Sequence, residues 1–305
     1  MSFKITILGS SGALPAYGRF PSSQFIEIQN RFFLVDSGEG TQMQLKRYQL
    51  PYHKINHIFI SHLHGDHYLG LAGLLFTMHL QRRVNDLHIY SHRGLDEILL
   101  AQLKHSHSVL HYKIHFHPIH PENRDPLFED QALTVKTIPL LHKIPCTGFV
   151  FREKIKPLRI NKPKLPNEML LQDIARLKTG ADILDESGKI IYKNEDLTLP
   201  PKHSFAYAYC SDTAYNEKMT EALRGVDLLY HEATFLESEK EKAVETLHST
   251  ASQAATIALK AGVKTLMIGH ISARYREPDP LLEEAKSIFP STVLAIEGET
   301  VELEP

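Results

Sequence analysis

Between Ser61 and His67 the chain reads Ser-His-Leu-His-Gly-Asp-His, so four side chains able to bind a metal, His62, His64, Asp66 and His67, crowd into one short stretch. Imidazole nitrogen and carboxylate oxygen suit Zn²⁺, and a mixed set of this kind is typical of catalytic rather than structural zinc. The run 54–60 before it has the β-branched and aromatic character of a buried strand, and 68–78 after it begins as a buried helix. The cluster is therefore predicted in a strand-to-helix loop, where irregular backbone lets alternate side chains converge. A histidine-rich surface loop is the plain alternative, and the ordered H-x-H-x-D-H spacing argues against it.

Two ions need more than four ligands. Further candidates stand where polar residues end apolar strands: His142 after 134–141, Asp212 after 205–210 and His270 after 265–269. Open α/β sheets place their chemistry at such ends. An isolated histidine there is more often structural, but three such residues beside the loop cluster favour a joint site. The two oxygens of Asp212 suit it to bridge two metals. Metal binding brings the pKa of water from 15.7 toward ~7, and two ions roughly 3.5–4 Å apart suit an in-line displacement at phosphorus. His231 and Glu232 end another strand. His248 precedes a helix where Thr250 and Gln253 form a capping-box pattern. Capping accounts for Thr250 but not for His248, which reads either as a surface histidine near a cap or as a group able to protonate a leaving alkoxide with Glu232 orienting it.

The elements that must position these groups alternate along the chain. Strands are predicted at 3–8, 24–28, 31–36, 57–61, 87–90, 113–118, 132–138 and 147–151, with helices over 66–80 and 92–104. After an interruption, strands at 205–210, 226–231, 264–269 and 292–295 alternate with helices at 215–223, 237–247, 250–261 and 280–287. This is an α/β layered fold. No short-period repeat is evident. The interruption, 152–202, is proline-broken and opens with six basic residues, Arg152, Lys154, Lys156, Arg159, Lys162 and Lys164, against one acid, Glu153. Within it, 167–178 is a short amphipathic helix with Asn167 as its N-cap and Gly180 beyond its end. The segment reads as an inserted, protruding arm, and a solvated loop is its bland alternative.

Composition bounds the rest. The chain has 305 residues, 42% hydrophobic and 23% charged, ordinary for a soluble globular protein. A net charge of −2 gives no global pull toward nucleic acid, so such binding needs a local patch. Cys146 and Cys210 make no disulfide framework and read as small core residues. The first residues alternate as a strand without a signal peptide's apolar core, and the most apolar stretch, 69–76, is too short to span a bilayer, so a cytoplasmic home is expected. Most of the 19 histidines need no special role. His115 and His117 alternate on one strand, while His105, His107 and His111 lie in a polar stretch.

Together these residues resemble the tRNase Z (ribonuclease Z) branch of the metallo-β-lactamase superfamily. The resemblance runs through 7–12, 33–42, 60–67, Tyr230-His-Glu-Ala-Thr234, His248-Ser-Thr250 and Gly269-His-Ile-Ser-Ala-Arg-Tyr275. The H-x-H-x-D-H motif indicates the superfamily; the last three segments and the basic insertion point to tRNase Z. The resemblance implies a four-layer αββα sandwich formed by 1–151 and 203–305, with 152–202 as the exosite arm. It implies two Zn²⁺ per subunit: His62, His64 and His142 on one, Asp66, His67 and His270 on the other, and Asp212 bridging. Asp66 would be the general base, Glu232 and His248 would assist departure of the 3′ oxygen, and the basic arm residues would bind precursor tRNA across a homodimer. The product would be a tRNA with a 3′-hydroxyl. The chain departs from the family pattern twice: Leu165-Pro-Asn167 stands where a Gly-Pro-rich arm tip is expected, and the early loop 15–20 keeps only Pro15 and Arg19 of its usual motif. Two other readings are a dinuclear-zinc phosphodiesterase acting on another RNA or a small phosphodiester, and a zinc-dependent RNA-binding module without catalysis.

Overall fold

The computed structural model describes residues 2–120 and 125–304. One sheet is built from β1 (Phe3–Gly9), β2 (Ser23–Ile28), β3 (Arg31–Ser37), β4 (His57–Phe59), β5 (Leu87–Ser91) and β6 (Ile114–Pro118). A second takes β7 (Phe128–Glu129), β8 (Leu133–Pro139), β9 (Thr147–Glu153), β10 (Ala206–Cys210), β11 (Leu228–Glu232), β12 (Thr265–Gly269) and β13 (Thr292–Leu294). The last strand, β14 (Thr300–Glu302), returns to pair with β1. The first sheet runs antiparallel through β1–β2–β3 and then parallel through β3–β4–β5–β6. The second repeats that succession: antiparallel through β8–β9–β10, then parallel through β10–β11–β12–β13.

Period-2 alternation decides which side chains meet. On β3, Phe33 and Val35 face the other sheet, where they join Phe59, Phe149, Phe151, Tyr207 and Tyr209. Leu34 between them faces outward with Ile58 and Ile89. That outer face is covered by α1 (Thr41–Arg47), with α2 (Gly65–Tyr68) in the loop beside it, then α3 (Leu71–Leu80) and α4 (Leu95–His105) through Leu45, Leu74, Leu75 and Leu99. Between β9 and β10 lie α5 (Leu171–Lys178) and α6 (Asn194–Leu197). The remaining helices are α7 (Lys240–Thr246), α8 (Ala251–Ala261) and α9 (Asp279–Ile288). Ala254, Ala258 and Leu281 close the outer face of the second sheet against Ala208, Leu229 and Ile268. The result is a four-layer αββα sandwich.

Several elements differ from expectation. The helix over 66–80 is two helices, α2 and α3, parted at Leu69 and Gly70. Gly70 N donates to Ser37 O at 2.9 Å, and a Cβ there would lie 2.0 Å from Gly38 O, so the chain breaks its helix to pack on β3's end. The expected helix 215–223 is a 3-10 turn, Glu217–Thr220, capped by Asn216, and 237–247 begins as another, Glu237–Glu239, before α7. The α1 helix and β14 were not anticipated.

In the insertion, β9 continues through Glu153 and Arg152 pairs with Ala206, so Arg152 belongs to the sheet. Beyond it, Arg159–Ile160 pairs with Thr198–Leu199, and Ile183–Leu184 with Ile190–Tyr192. Leu177, Ile183 and Leu197 form a small core of their own, with Ile160, Leu165 and Met169 against it. The α5 helix starts late: Leu170 is its N-cap residue, so Asn167 does not cap it and lies in the turn before. Gly180 does follow its end, left-handed at φ 93°.

Candidate metal centre

The loops after β4, β8, β10 and β12 meet at one seam between the sheets. Asp66, His67 and the two preceding histidines come from the first sheet's loop, His142, Asp212 and His270 from the second sheet's strand ends. The ligand-capable atoms of His62, His64, His142 and Asp212 lie within 4.8 Å of one another, as do those of Asp66, His67 and His270. His64 Nδ1 is 3.0 Å from His62 Nε2 and 3.1 Å from His142 Nε2. Asp212 divides its carboxylate: Oδ2 faces His62 and His142 at 3.6 and 3.7 Å, Oδ1 faces His67 and His270 at 3.2 and 3.1 Å. Asp66 Oδ2 lies 3.3 and 3.5 Å from the same two imidazoles.

Four of the inward nitrogens are aimed by a hydrogen bond at the opposite side of the ring. His67 Nδ1 meets Asp36 Oδ2 at 2.7 Å, His62 Nδ1 meets Ser61 Oγ at 3.0 Å, His142 Nδ1 meets Leu247 O at 3.0 Å, and His270 Nδ1 meets Thr234 Oγ1 at 3.0 Å. Such partners fix tautomer and ring orientation for metal ligation. Asp36 is itself held by Ser61 Oγ at 2.8 Å and Tyr209 OH at 2.7 Å. Gly12 lets the chain pass against His270; a Cβ there would sit 2.8 Å from that ring.

These residues fit a divalent cation. His67 Nε2 and His270 Nε2 are buried without a hydrogen-bond partner, facing carboxylate oxygens. Burial chiefly holds the His62, His64 and His142 imidazoles below their usual pKa, so they are neutral and able to ligate. At Asp212, burial pushes the pKa up, but the electrostatic influence of the surrounding imidazoles, His270 and His67 foremost, outweighs it and holds it well below the carboxylate range. Asp66 behaves likewise through His67 and a hydrogen bond to His270. His67 is buried, which lowers its pKa, yet Asp212, Asp66 and Asp36 raise it well above the ordinary value. Three carboxylates around one imidazole call for positive charge at this point.

Beside the seam, Glu232 ends β11 with no solvent exposure. Its Oε1 accepts from Thr213 N at 2.7 Å and meets His248 Nδ1 at 2.9 Å. Burial would lower the His248 pKa, but the Glu232 charge and hydrogen bond push it up to about 9. His248 Nε2 lies 4.0 Å from Asp212 Oδ2. The capping box at Thr250 and Gln253 is present and fixes the start of α8 just past His248.

Curated relatives match over the whole chain. A ribonuclease Z of Bacteroides fragilis is 46% identical, covering 99% of each chain. One from Cytophaga hutchinsonii is 47% identical, covering 98% of this chain and 95% of that one. The chain belongs to the ribonuclease Z family. Among solved structures, human tRNase Z, short form, is similar with a TM-score of 0.71 at 26% identity, covering 98% of each chain. Residues 3–157 also match the family model described as Anti-Pycsar protein Apyc1. That stretch carries the loop 62–67 and His142 but stops before Asp212, Glu232, His248 and His270.

The remaining sequence candidates lie elsewhere. Arg152 donates to Arg224 O and Gly225 O, Lys154 pairs with Glu129, Lys156 with Glu153, and Arg159 Nε donates to Pro200 O. Four of the six basic residues are thus engaged within the fold. Lys162 and Lys164 are exposed with no ion-pair partner among the described residues. His231 Nδ1 turns to the Glu232 carbonyl at 2.7 Å, away from the seam. His115 and His117 stack with His88, as expected of hydrogen-bonded bystanders. Both cysteines are buried thiols. Sequence reading missed the orienting roles of Asp36, Ser61 and Thr234. For Asp36 the signal was present: a carboxylate ending an apolar strand before a glycine turn, the same logic that singled out Asp212.

Proposed function

We infer that this chain is a metal-dependent endoribonuclease that removes the 3′ trailer from precursor tRNA, leaving a 3′-hydroxyl on the tRNA. The observation that carries this reading is full-length similarity to ribonuclease Z proteins joined to a convergent His/Asp centre. The metal assignment proposed is two zinc ions per subunit: one on His62, His64 and His142, one on Asp66, His67 and His270, with Asp212 shared between them. The split of Asp212, one oxygen toward each group, supports it. When bound, the ions supply Lewis-acid charge at the scissile phosphate and lower the pKa of the attacking water.

The chain's own residues handle the protons. Asp66 Oδ2 is fixed by Ala13 N–H at 2.9 Å, which holds the carboxylate ready to accept a proton from the water. Glu232 grips Nδ1 of His248 and leaves Nε2 to hand a proton to the departing 3′ oxygen. The bond from phosphorus to O3′ breaks, the tRNA keeps the hydroxyl and the trailer keeps a 5′-phosphate.

Beyond Arg152 and Glu153, which belong to β9, the segment 154–202 is proposed as a distinct arm that grips the tRNA in a homodimer, with Lys162 and Lys164 the unpaired cations of its basic stretch. Its separate core supports this. No helix among the described residues is long and apolar enough to cross a membrane, and the substrate makes the cytoplasm the proposed site of action.

The test is a precursor tRNA carrying a 3′ trailer, with and without encoded CCA, and mapped product ends. A single cut beside the discriminator base or after CCA is expected, abolished by a chelator and in His64→Ala. Undiminished cleavage by His64→Ala would overturn the ligand assignment. No cleavage of any precursor by the metal-loaded protein would overturn the function. If the arm binds phosphates, affinity must fall steeply with salt.

A further inference from the structure

A cavity of about 450 Å³ opens beside the metal centre, walled by Leu63, Ile119, Ile144 and Pro145, with Arg93 and His120 at its rim. This lies within the range of small-ligand clefts, roughly 300–1,000 Å³. It shares its backbone with the site: Leu63 sits between His62 and His64, and Ile144 and Pro145 closely follow His142. His92 forms the inner wall, with Nε2 3.0 Å from Thr147 Oγ1, while Thr147 N donates to Ser61 O at 3.0 Å. Gly94, left-handed at φ 107°, brings the turn beside Arg93 against the loop; a Cβ there would lie 3.7 Å from Leu63. Arg93 is exposed and has no hydrogen bond or ion pair among the described residues.

We propose that this cavity receives the nucleotide adjoining the scissile phosphodiester of an RNA substrate, its base against Leu63, Ile144 and Pro145 and its phosphate oxygens on Arg93. The inference rests on the endoribonuclease reading and deepens it. The apolar walls accept any base face, while the guanidinium fork matches a phosphate with two parallel hydrogen bonds. An unpartnered cation at the mouth of a phosphodiester site has its complement in the RNA backbone. Arg93 touches neither metal-ligating group, so it acts on substrate binding and leaves the chemistry intact.

Precursor tRNA and bis(p-nitrophenyl) phosphate, which has no neighbouring nucleotide, separate these effects. Arg93→Ala is expected to raise KM for precursor tRNA about tenfold with kcat held. The slope of log affinity against log salt should drop by about one. Turnover of the small substrate and the metal content should not change. Arg93→Lys should restore part of the KM and the full salt slope. A precursor made abasic at one flanking position should lose its sensitivity to Ile144→Trp, which fills the cavity, and so report which side of the cut the cavity serves. Should wild type cut precursors while Arg93→Ala matches it in KM, kcat and salt slope, the subsite is wrong and the endoribonuclease reading stands. Loss of small-substrate turnover or metal in Arg93→Ala would make the residue structural and also overturn the subsite. Failure of wild type to cut any precursor would remove the reading beneath it.

Discussion

The two halves of the sandwich repeat one succession of strand pairings yet carry unequal chemistry. The carboxylates at the ends of β3 and β10 make the contrast plain. Asp36 spends its oxygens on Ser61, His67 and Tyr209 and never meets a metal-facing nitrogen directly. Asp212, at the equivalent strand end, takes one side-chain hydrogen bond, from Ser211, and turns both oxygens to the imidazoles. After β5 stands His92, bonded to Thr147; after β12 stands His270, in the centre. The first half supplies the four-residue loop, the second the shared carboxylate and the Glu232–His248 pair. One topology thus creates two sets of strand ends, and what a residue does depends on whether neighbouring groups have already satisfied it.

The largest effect should come from the residue both groups share. Asp212→Ala is expected to drop cleavage to the level of chelated protein and to reduce bound metal at both positions, read by metal analysis and single-turnover cleavage. Full metal content in that variant would break the contrast with Asp36. His248→Ala removes the proposed proton donor, which lies outside both proposed ligand sets, so cleavage should fall by about 10²–10⁴-fold with metal retained. Its deficit should shrink for a substrate whose leaving group needs no proton, such as bis(p-nitrophenyl) phosphate. Asp36→Asn keeps shape but loses the charge behind His67; metal affinity or activity should fall about 10–100-fold. An effect as large as that of Asp212→Ala would erase the distinction between ligand and support.

How far the sequence foretold this follows from the same contrast. The loop 62–67 was legible because its metal-capable side chains are adjacent in the chain. His142, Asp212 and His270 were legible as polar residues closing apolar strands, which favoured a joint site, and the division of the residues between two ions followed only from the family resemblance. The duplicated strand order was invisible, because it resides in long-range pairing and not in residue spacing. Helix breaks at Leu69–Gly70 and Glu237–Glu239 were missed for a related reason: close approach to Gly38 and the capping of short turns are tertiary facts that override local propensity. The basic count in 152–164 overstated the arm's free charge, since four of its cations are held by Glu129, Glu153 and backbone carbonyls placed by the fold.

The smallest effect is expected at the opposite ends of the strands. Asn56 and Asp227 precede β4 and β11 in equivalent places: Asn56 N donates to Phe32 O as Asp227 N donates to Ala206 O. Asn56 Oδ1 accepts from Arg83 at 2.7 Å and cannot titrate. Asp227 pairs with Lys264 at 2.6 Å and His203 at 2.8 Å and accepts from Ala206 N at 2.8 Å. Burial pushes its pKa up, but Lys264, the Ala206 amide and His203 outweigh that and hold it below the unfolded value, near 3.9. A folded pKa below the unfolded one stabilises above about pH 4, and that contribution is lost as pH falls. In chelated protein, so that the centre adds equally to each sample, Asp227→Asn should cost about 1 kcal/mol at pH 7 and little at pH 3. Asn56→Asp, placed beside Arg83, should add an acid dependence at this position of the first half. Urea midpoints at the two pH values measure both. Equal acid sensitivity in wild type and Asp227→Asn would show that the charge at this position does not distinguish the halves.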